Sequence, residues 1–246
     1  MSLARNINAV RFTGDGTRIL ATTTARRLAV IDIEHGEQLM SYDNCAFNGR
    51  DRTGLAVDPI CPNMAVCCCV NGKGLTLFDL RMPLPLDFIY DLHQNIIRDV
   101  TFLNNSWPWV KGQNALMSVS TDGLCKVTTL DGRNLHSIDV KHSCSTVTPT
   151  PELYGSAADE GFSSVVMLGG DVVSAYVPDV GVKKPLRTHG ETFIWKLRYT
   201  SNGSTLYTAC DKGVVRRYRR YPDHHEYLGD VYTHRNDIEG YGHLPL

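Results

Sequence analysis

The 246-residue chain predicts an all-β fold of repeated four-stranded antiparallel blades, a β-propeller. Three observations carry that expectation. Short segments alternate apolar and polar residues and are broken by turn residues. The pattern returns about every 45 residues, the spacing of propeller blades. No stretch keeps a helical period. Taking the last inward residue of each unit's first strand as an anchor gives Phe12, Val57, Phe102, Val147 and Tyr199, separated by 45, 45, 45 and 52 residues.

Each unit is readable in order. In the first, Asn8–Ala21 reads as strand, Asp-Gly turn and strand; Arg27–Ile33 and a turn at Glu34-His35-Gly36 follow. In the second, Leu55–Pro59 precedes Met64–Cys67, and Leu75–Arg81 closes the unit. In the third, Val100-Thr101-Phe102 precedes Ala115–Gly123 and then Cys125–Thr128. In the fourth, Thr146–Pro149 precedes Leu153–Asp159, expected as the second strand. In the fifth, Leu197-Arg198-Tyr199 precedes Thr205–Asp211 and Val214–Tyr218. The expectation is one domain over 1–246, with units at about 5–50, 51–92, 93–140, 141–188 and 189–233, and the start of a sixth at 234–246. A single blade cannot bury both its faces, so neighbouring blades must supply the core.

On these residues the chain resembles the WD-repeat family over nearly its whole length. Ser120-Thr121-Asp122-Gly123 and Ala209-Cys210-Asp211-Lys212-Gly213 look like the family's turn between second and third strands. Asp32 and Phe78-Asp79 stand where its Trp-Asp pair ends the third strand. His93, four residues before Ile97, is placed like the family's Gly-His; His189 is similar but one residue out of step. The resemblance implies structural bonds from His93 to Asp122 and from His189 to Asp211. Thr128 and Arg217 replace the family's Trp, and units one, two and four lack a His at its place.

Tyr232–Ile238 resembles the opening of a further unit, since His234 to Ile238 repeats the His93 to Ile97 spacing. Three readings of this arrangement stand open: a fragment or splice form of a longer protein, a five-bladed ring completed by the C-terminal tail, or an edge covered by a second chain.

Composition narrows the function classes. The 25 basic and 26 acidic residues argue against a bulk electrostatic nucleic-acid binder or a polybasic membrane protein. No apolar run is long enough to span a bilayer, and Met1–Asn6 lacks a signal-peptide core. Eight cysteines without a Cys-x-x-Cys pair read as small buried hydrophobes of a cytoplasmic or nuclear protein. Cys67-Cys68-Cys69 must alternate faces in a strand and cannot converge on one metal. No catalytic or phosphate-binding motif is present, so neither an enzyme nor a cofactor is expected.

The expected role is a protein-interaction scaffold that presents face loops to partner proteins. Four local features refine it. Phe78-Asp79-Leu80-Arg81 resembles the Trp-Asp-x-Arg blade end of substrate receptors for cullin-RING ubiquitin ligases, where the Arg engages an adaptor; an ordinary blade end is the plainer reading, and Gly72 stands where that pattern's turn Asp is expected. Arg216, Arg217, Arg219 and Arg220, with two tyrosines, form a basic run that suits a phospho-ligand or nucleic acid, or simply a solvated outer edge. Trp107 and Trp109 flank Pro108 in a long loop and suit a partner contact, or fold back onto the blade. His224-His225-Glu226 lacks a fourth ligand and reads as a polar loop, not a metal site.

Overall fold

The computed structural model describes residues 6–49, 52–103, 107–110, 112–151, 164–178, 180–183, 186 and 192–233. Among these there is no helix, and the chain forms five sheets of four antiparallel strands. Blade 1 holds β1 (Ile7–Phe12), β2 (Arg18–Thr23), β3 (Arg27–Asp32) and β4 (Gln38–Tyr42). Blade 2 holds β5 (Leu55–Val57), β6 (Met64–Cys68), β7 (Leu75–Asp79) and β8 (Asp87–Ile89). Blade 3 holds β9 (Ile97–Leu103), β10 (Ala115–Ser120), β11 (Leu124–Thr129) and β12 (Asn134–Asp139). Blade 4 holds β13 (Cys144–Pro149), β14 (Val166–Gly170), β15 (Val173–Val177) and β16 (Gly181–Lys183). Blade 5 holds β17 (Ile194–Tyr199), β18 (Thr205–Cys210), β19 (Val214–Arg220) and β20 (His225–Thr233).

In every blade the spatial order of strands follows the sequence, so each pairs with the next. The inner strands β1, β5, β9, β13 and β17 then stand beside one another in turn. The core lies between blades. Leu20, Leu28 and Val30 pack on Leu55, Cys67 and Phe78; on the other face of blade 2, Val66, Cys68 and Leu77 pack on Ile97, Val100 and Leu116. Met117, Val119 and Val127 meet Val147, Val166 and Leu168, while Met167 and Ala175 meet Leu206 and Tyr218. Successive residues serve opposite layers because side chains alternate across a strand. Cys67 and Cys68 therefore enter different cores. Each fully buried Leu or Val stabilises by roughly 2 kcal/mol, so layer burial is the main force holding the blades together.

Local chemistry repeats at the turns. Thr13 Oγ accepts from the amide of Arg18 and donates to Asp15, while Gly16 takes φ 71°. In blade 5, Thr200, Thr205, Asn202 and Gly203 repeat that arrangement, with φ 68° at Gly203. Glycine is also required by close approach: a Cβ on Gly170 would stand 1.8 Å from the Ser143 carbonyl oxygen.

Two expectations change. The strand paired with β13 is β14, Val166–Gly170, whereas the segment expected there, 153–159, lies outside the described residues. The Val-Val-Met-Leu run at 165–168 supplies the β-branched and apolar residues that a doubly buried strand needs. The anchor Phe12 does not point inward but is 63% exposed. It shares a face with Ile19 and Ile31, opposite to the face that packs on blade 2, and no described blade covers it. The sixth unit expected at 234–246 also lies outside the described residues.

Candidate interaction surface

The loops at one end of blade 2 expose more apolar surface than a solvated turn requires. β7 ends with a fully buried Phe78 and then Asp79, whose carboxylate accepts the Arg81 amide at 3.1 Å and Arg81 Nε and Nη2 at 2.9 and 2.6 Å. The Arg81 fork holds Asp79 down at a pKa of about 2 and raises its own. The Arg81 side chain is 70% exposed. Met82-Pro83-Leu84-Pro85-Leu86 follows, and its two prolines withhold ladder donors. Met82, Leu84 and Leu86 are exposed, with Leu84 at 72%. Ile60, in the loop from β5 to β6 at the same end of the sheet, is 75% exposed.

Backbone bonds fix both loops. Tyr42 of blade 1 donates its hydroxyl to the Met82 carbonyl at 2.8 Å, and the Leu86 amide donates to the Leu77 carbonyl. Asp58 accepts the amides of Ile60 and Cys61. The two loops at this end of blade 2 thus expose four large apolar side chains and the Arg81 guanidinium on hydrogen-bonded backbone. Sequence reading found Arg81 and missed the apolar rim, although the Met-Pro-Leu-Pro-Leu run carries the signal. The turn residue opposite the family's Asp is Asn71, not Gly72: Asn71 accepts the Lys73 amide at 2.8 Å, as Asp122 accepts the Leu124 amide at 3.0 Å.

His93 is buried, with Nδ1 3.1 Å from Asp122 and Nε2 2.9 Å from Ser118. Burial lowers its pKa, against the pull of Asp122. Asp122 itself is held low: burial opposes ionisation, but the Leu124 and Gln94 amides and His93 outweigh it. Blade 4 has a related network that the sequence pattern hid. There His142 bonds Ser174 at 3.1 Å, and Asp171 accepts the Ser143 amide. The His189 half of the second expected pair lies outside the described residues; Asp211 occupies the β18–β19 turn.

Trp107 is buried and stacks on Trp109 at 5.5 Å. Trp109 in turn stacks on His136 at 4.6 Å and meets Tyr176 of blade 4. The pair folds back onto blade 3 and meets blade 4, with Trp107 buried and Trp109 half-buried.

The arginine run is divided by strand alternation. Arg216 bonds Asp230 at 3.1 Å and lies over Tyr227; Arg220 is buried over Tyr199. Arg217 and Arg219 are exposed on the opposite face. The two histidines diverge likewise: His224 stacks on half-buried Tyr221, whereas His225 Nε2 hydrogen-bonds the Tyr199 hydroxyl at 2.8 Å. Burial, with Arg220 and His224 nearby, lowers the His225 pKa to about 4.

The strongest electrostatic feature was not anticipated. Asp99, on inner strand β9, is buried where β1, β13 and β17 converge. It receives Lys196 Nζ at 2.5 Å, Thr146 Oγ at 2.9 Å and the Val147 amide at 3.2 Å, with Arg11 at 3.8 Å. Burial opposes its charge, but Lys196, Arg52 and Arg198 outweigh it and hold the pKa at about 2. One carboxylate thus ties together four blades.

No family model matches the chain, and no curated protein matches its sequence. Among solved structures, the β-propeller domain of Cps50 (Swd1) from Myceliophteria thermophila is similar, with a TM-score of 0.66 and 12% identity. The match covers 93% of this chain and 72% of that one. With five four-stranded antiparallel sheets, the fold is a β-propeller.

Proposed function

We propose that this chain is a degenerate WD-repeat propeller acting as a non-enzymatic protein-interaction scaffold, and that a partner docks on the loop end of blade 2. The observation that supports this reading is the exposure of Ile60, Met82, Leu84, Leu86 and Arg81 on the two loops at one end of the blade 2 sheet. Grouped apolar side chains on stiff backbone mark contact surfaces, and Arg is enriched in them. The fitting partner is a protein segment with apolar side chains for the rim and a carboxylate that shares the Arg81 fork with Asp79. Buried free thiols suit a reducing compartment, cytoplasm or nucleus.

A photo-crosslinker at Leu84 should capture a discrete partner that Leu86→Asp abolishes. The same label at Leu39, exposed on the outer strand of blade 1, should not. Equal capture at both positions removes the surface from consideration. A ubiquitin-ligase receptor is the more specific form of this reading, supported by the exposed Arg81. Purified adaptor should then bind wild type and lose at least tenfold affinity for Arg81→Ala; no binding to wild type rejects it. The phospho-ligand or nucleic-acid reading of Arg216–Arg220 is weakened because Arg216 and Arg220 are engaged within blade 5.

A further inference from the structure

The turns between second and third strands follow one plan, and blade 1 departs from it. In blades 2, 3 and 5 the turn passes through a glycine whose amide donates to the carbonyl three residues back: Gly72 to Cys69, Gly123 to Ser120 and Gly213 to Cys210. These glycines take φ of 79°, 82° and 71°. In blade 1 the Arg26 amide donates to the Thr23 carbonyl in the same way, at φ 63°. A Cβ is disfavoured in that left-handed region, so this arginine carries strain that its sister positions avoid. Such strain collects where a side chain is kept for binding.

Arg26 stands at a cavity of about 270 Å³, lined by Thr24, Ala25, Arg26, Arg27 and Asn48. Its two walls are tied together. The Arg26 carbonyl accepts the amides of Cys45 and Ala46 at 2.9 and 3.3 Å, which holds the linker from blade 1 to blade 2 against the turn. Asn8 donates to the Phe47 carbonyl at 3.2 Å and fixes the same linker one residue before Asn48. Arg27 gives its Nε to Asp43 at 2.6 Å. Among the described residues the side chains of Thr24, Arg26 and Asn48 make no hydrogen bond or ion pair, and both Arg26 and Asn48 are exposed. None of the lining residues is acidic. The cavity therefore offers one uncompensated guanidinium, the outer nitrogens of a second, a hydroxyl and an amide, all on hydrogen-bonded backbone.

The donor set selects the ligand. A carboxylate is satisfied by a single guanidinium fork, as Asp79 is by Arg81. A phosphoryl group brings three acceptor oxygens and up to two charges, so it can engage both arginines together with the hydroxyl or the amide. Walls fixed before binding lower the ordering that the ligand must impose.

We propose that this cavity on blade 1 binds a phosphoryl group. Arg26 is its main ligand, Arg27 shares its fork between the anion and Asp43, and Thr24 and Asn48 donate from either wall. The linker that lines the cavity leads into the first residue of β5, so the site stands at the end of the strands opposite the Ile60 and Arg81 loops. It does not depend on the surface proposed there.

The test follows backbone amide chemical shifts of the full chain during titration at constant ionic strength. The probes are a phosphoserine peptide, the same peptide with Glu in place of phosphoserine, and inorganic phosphate. The expected result is saturable shifts at Ala25, Arg26 and Asn48, at least tenfold tighter for the phosphoserine than for the Glu peptide. Arg26→Gly removes the cation and relieves the positive φ, so its melting temperature should match or exceed wild type while binding weakens at least tenfold. Arg219→Gln, an exposed arginine on blade 5, should bind as wild type. Asn48→Ala, which should weaken binding severalfold, is the second variant should Arg26→Gly melt lower. A phosphoserine peptide that binds more tightly than inorganic phosphate assigns the group to a phosphorylated protein; equal affinity assigns it to a free anion. No saturable shift with any probe, equal affinity for the Glu and phosphoserine peptides, or binding that neither Arg26→Gly nor Asn48→Ala weakens overturns the site.

Discussion

Replacing Asp99 by Asn keeps the side-chain shape and removes one buried charge. Its magnitude follows from the site. Asp99 ionises near 2 in the fold against 3.8 ordinarily, which is worth roughly 2.5 kcal/mol at neutral pH. Breaking a buried pair through one partner costs about 3–5 kcal/mol, because the remaining charge is stranded. Lys196 can shed its proton near pH 7, which limits that cost. The expected loss is therefore about 3 kcal/mol, or roughly 6–12 °C in melting temperature for a chain of this size. The pH dependence gives a second handle. Folding depresses the Asp99 pKa, so its contribution is full above the ordinary value and drains as pH falls through about 2. At pH 3 it should be about half its neutral value. Urea unfolding of wild type and Asp99→Asn at pH 7 and pH 3 measures both quantities. A difference under about 1 kcal/mol at pH 7 refutes the assignment of Asp99 as the charged tie between blades; at pH 3 Lys196 can no longer shed its proton, so the wild-type curve alone reads the Asp99 titration.

Other perturbations test separate parts of the molecule. Folding depresses the His225 pKa from 6.5 to about 4, so stability should fall as pH drops through that window. The loss is about 2 kcal/mol after allowing for partial exposure, and melts at pH 7.5 and pH 5 should show it in wild type but not in His225→Gln. Trp109→Ala removes contacts with Trp107, His136 and Tyr176 and should cost about 3 kcal/mol in urea unfolding, with partner capture at blade 2 unchanged. Gly170→Ala drives a Cβ into the Ser143 carbonyl and should destabilise by at least about 2 kcal/mol; a neutral melt would show that the strand end can move. Leu84→Asp should leave stability within about 0.5 kcal/mol, since the side chain is 72% exposed, while abolishing partner capture.

Legibility tracked the range of each interaction. The blades were readable because alternation and turn chemistry are local: Gly16 and Gly203 recur in matching turns, and Cys67 and Cys68 must take opposite layers. The His93 and Asp122 geometry could be anticipated because turn and histidine keep fixed positions in a repeat. Asn71 was passed over because an amide replaces the acid while making the same bond. Trp107 could not be assigned from its loop alone, since what buries it, Trp109 on His136 and Tyr176, arrives from later strands. Asp99 was invisible for the same reason: its partners stand 47 and 97 residues away, on other blades.

The two sheet faces left uncovered by described blades have unlike chemistry. On blade 1, Phe12, Ile19 and Ile31 lie in register across β1, β2 and β3, with Val10 beside them. On blade 5, Arg198, Tyr207 and Arg217 lie in register across β17, β18 and β19. Direct packing of one on the other would bury guanidinium groups against Phe and Ile without carboxylates, at a cost of several kcal/mol for each ion. A layer between them would need apolar side chains toward Phe12 and acidic or hydroxyl side chains toward Arg217. A strand provides that division, because its side chains alternate between two faces. A segment laid between those faces would therefore need two unlike sides, and an all-apolar or all-basic one would satisfy one face at the expense of the other.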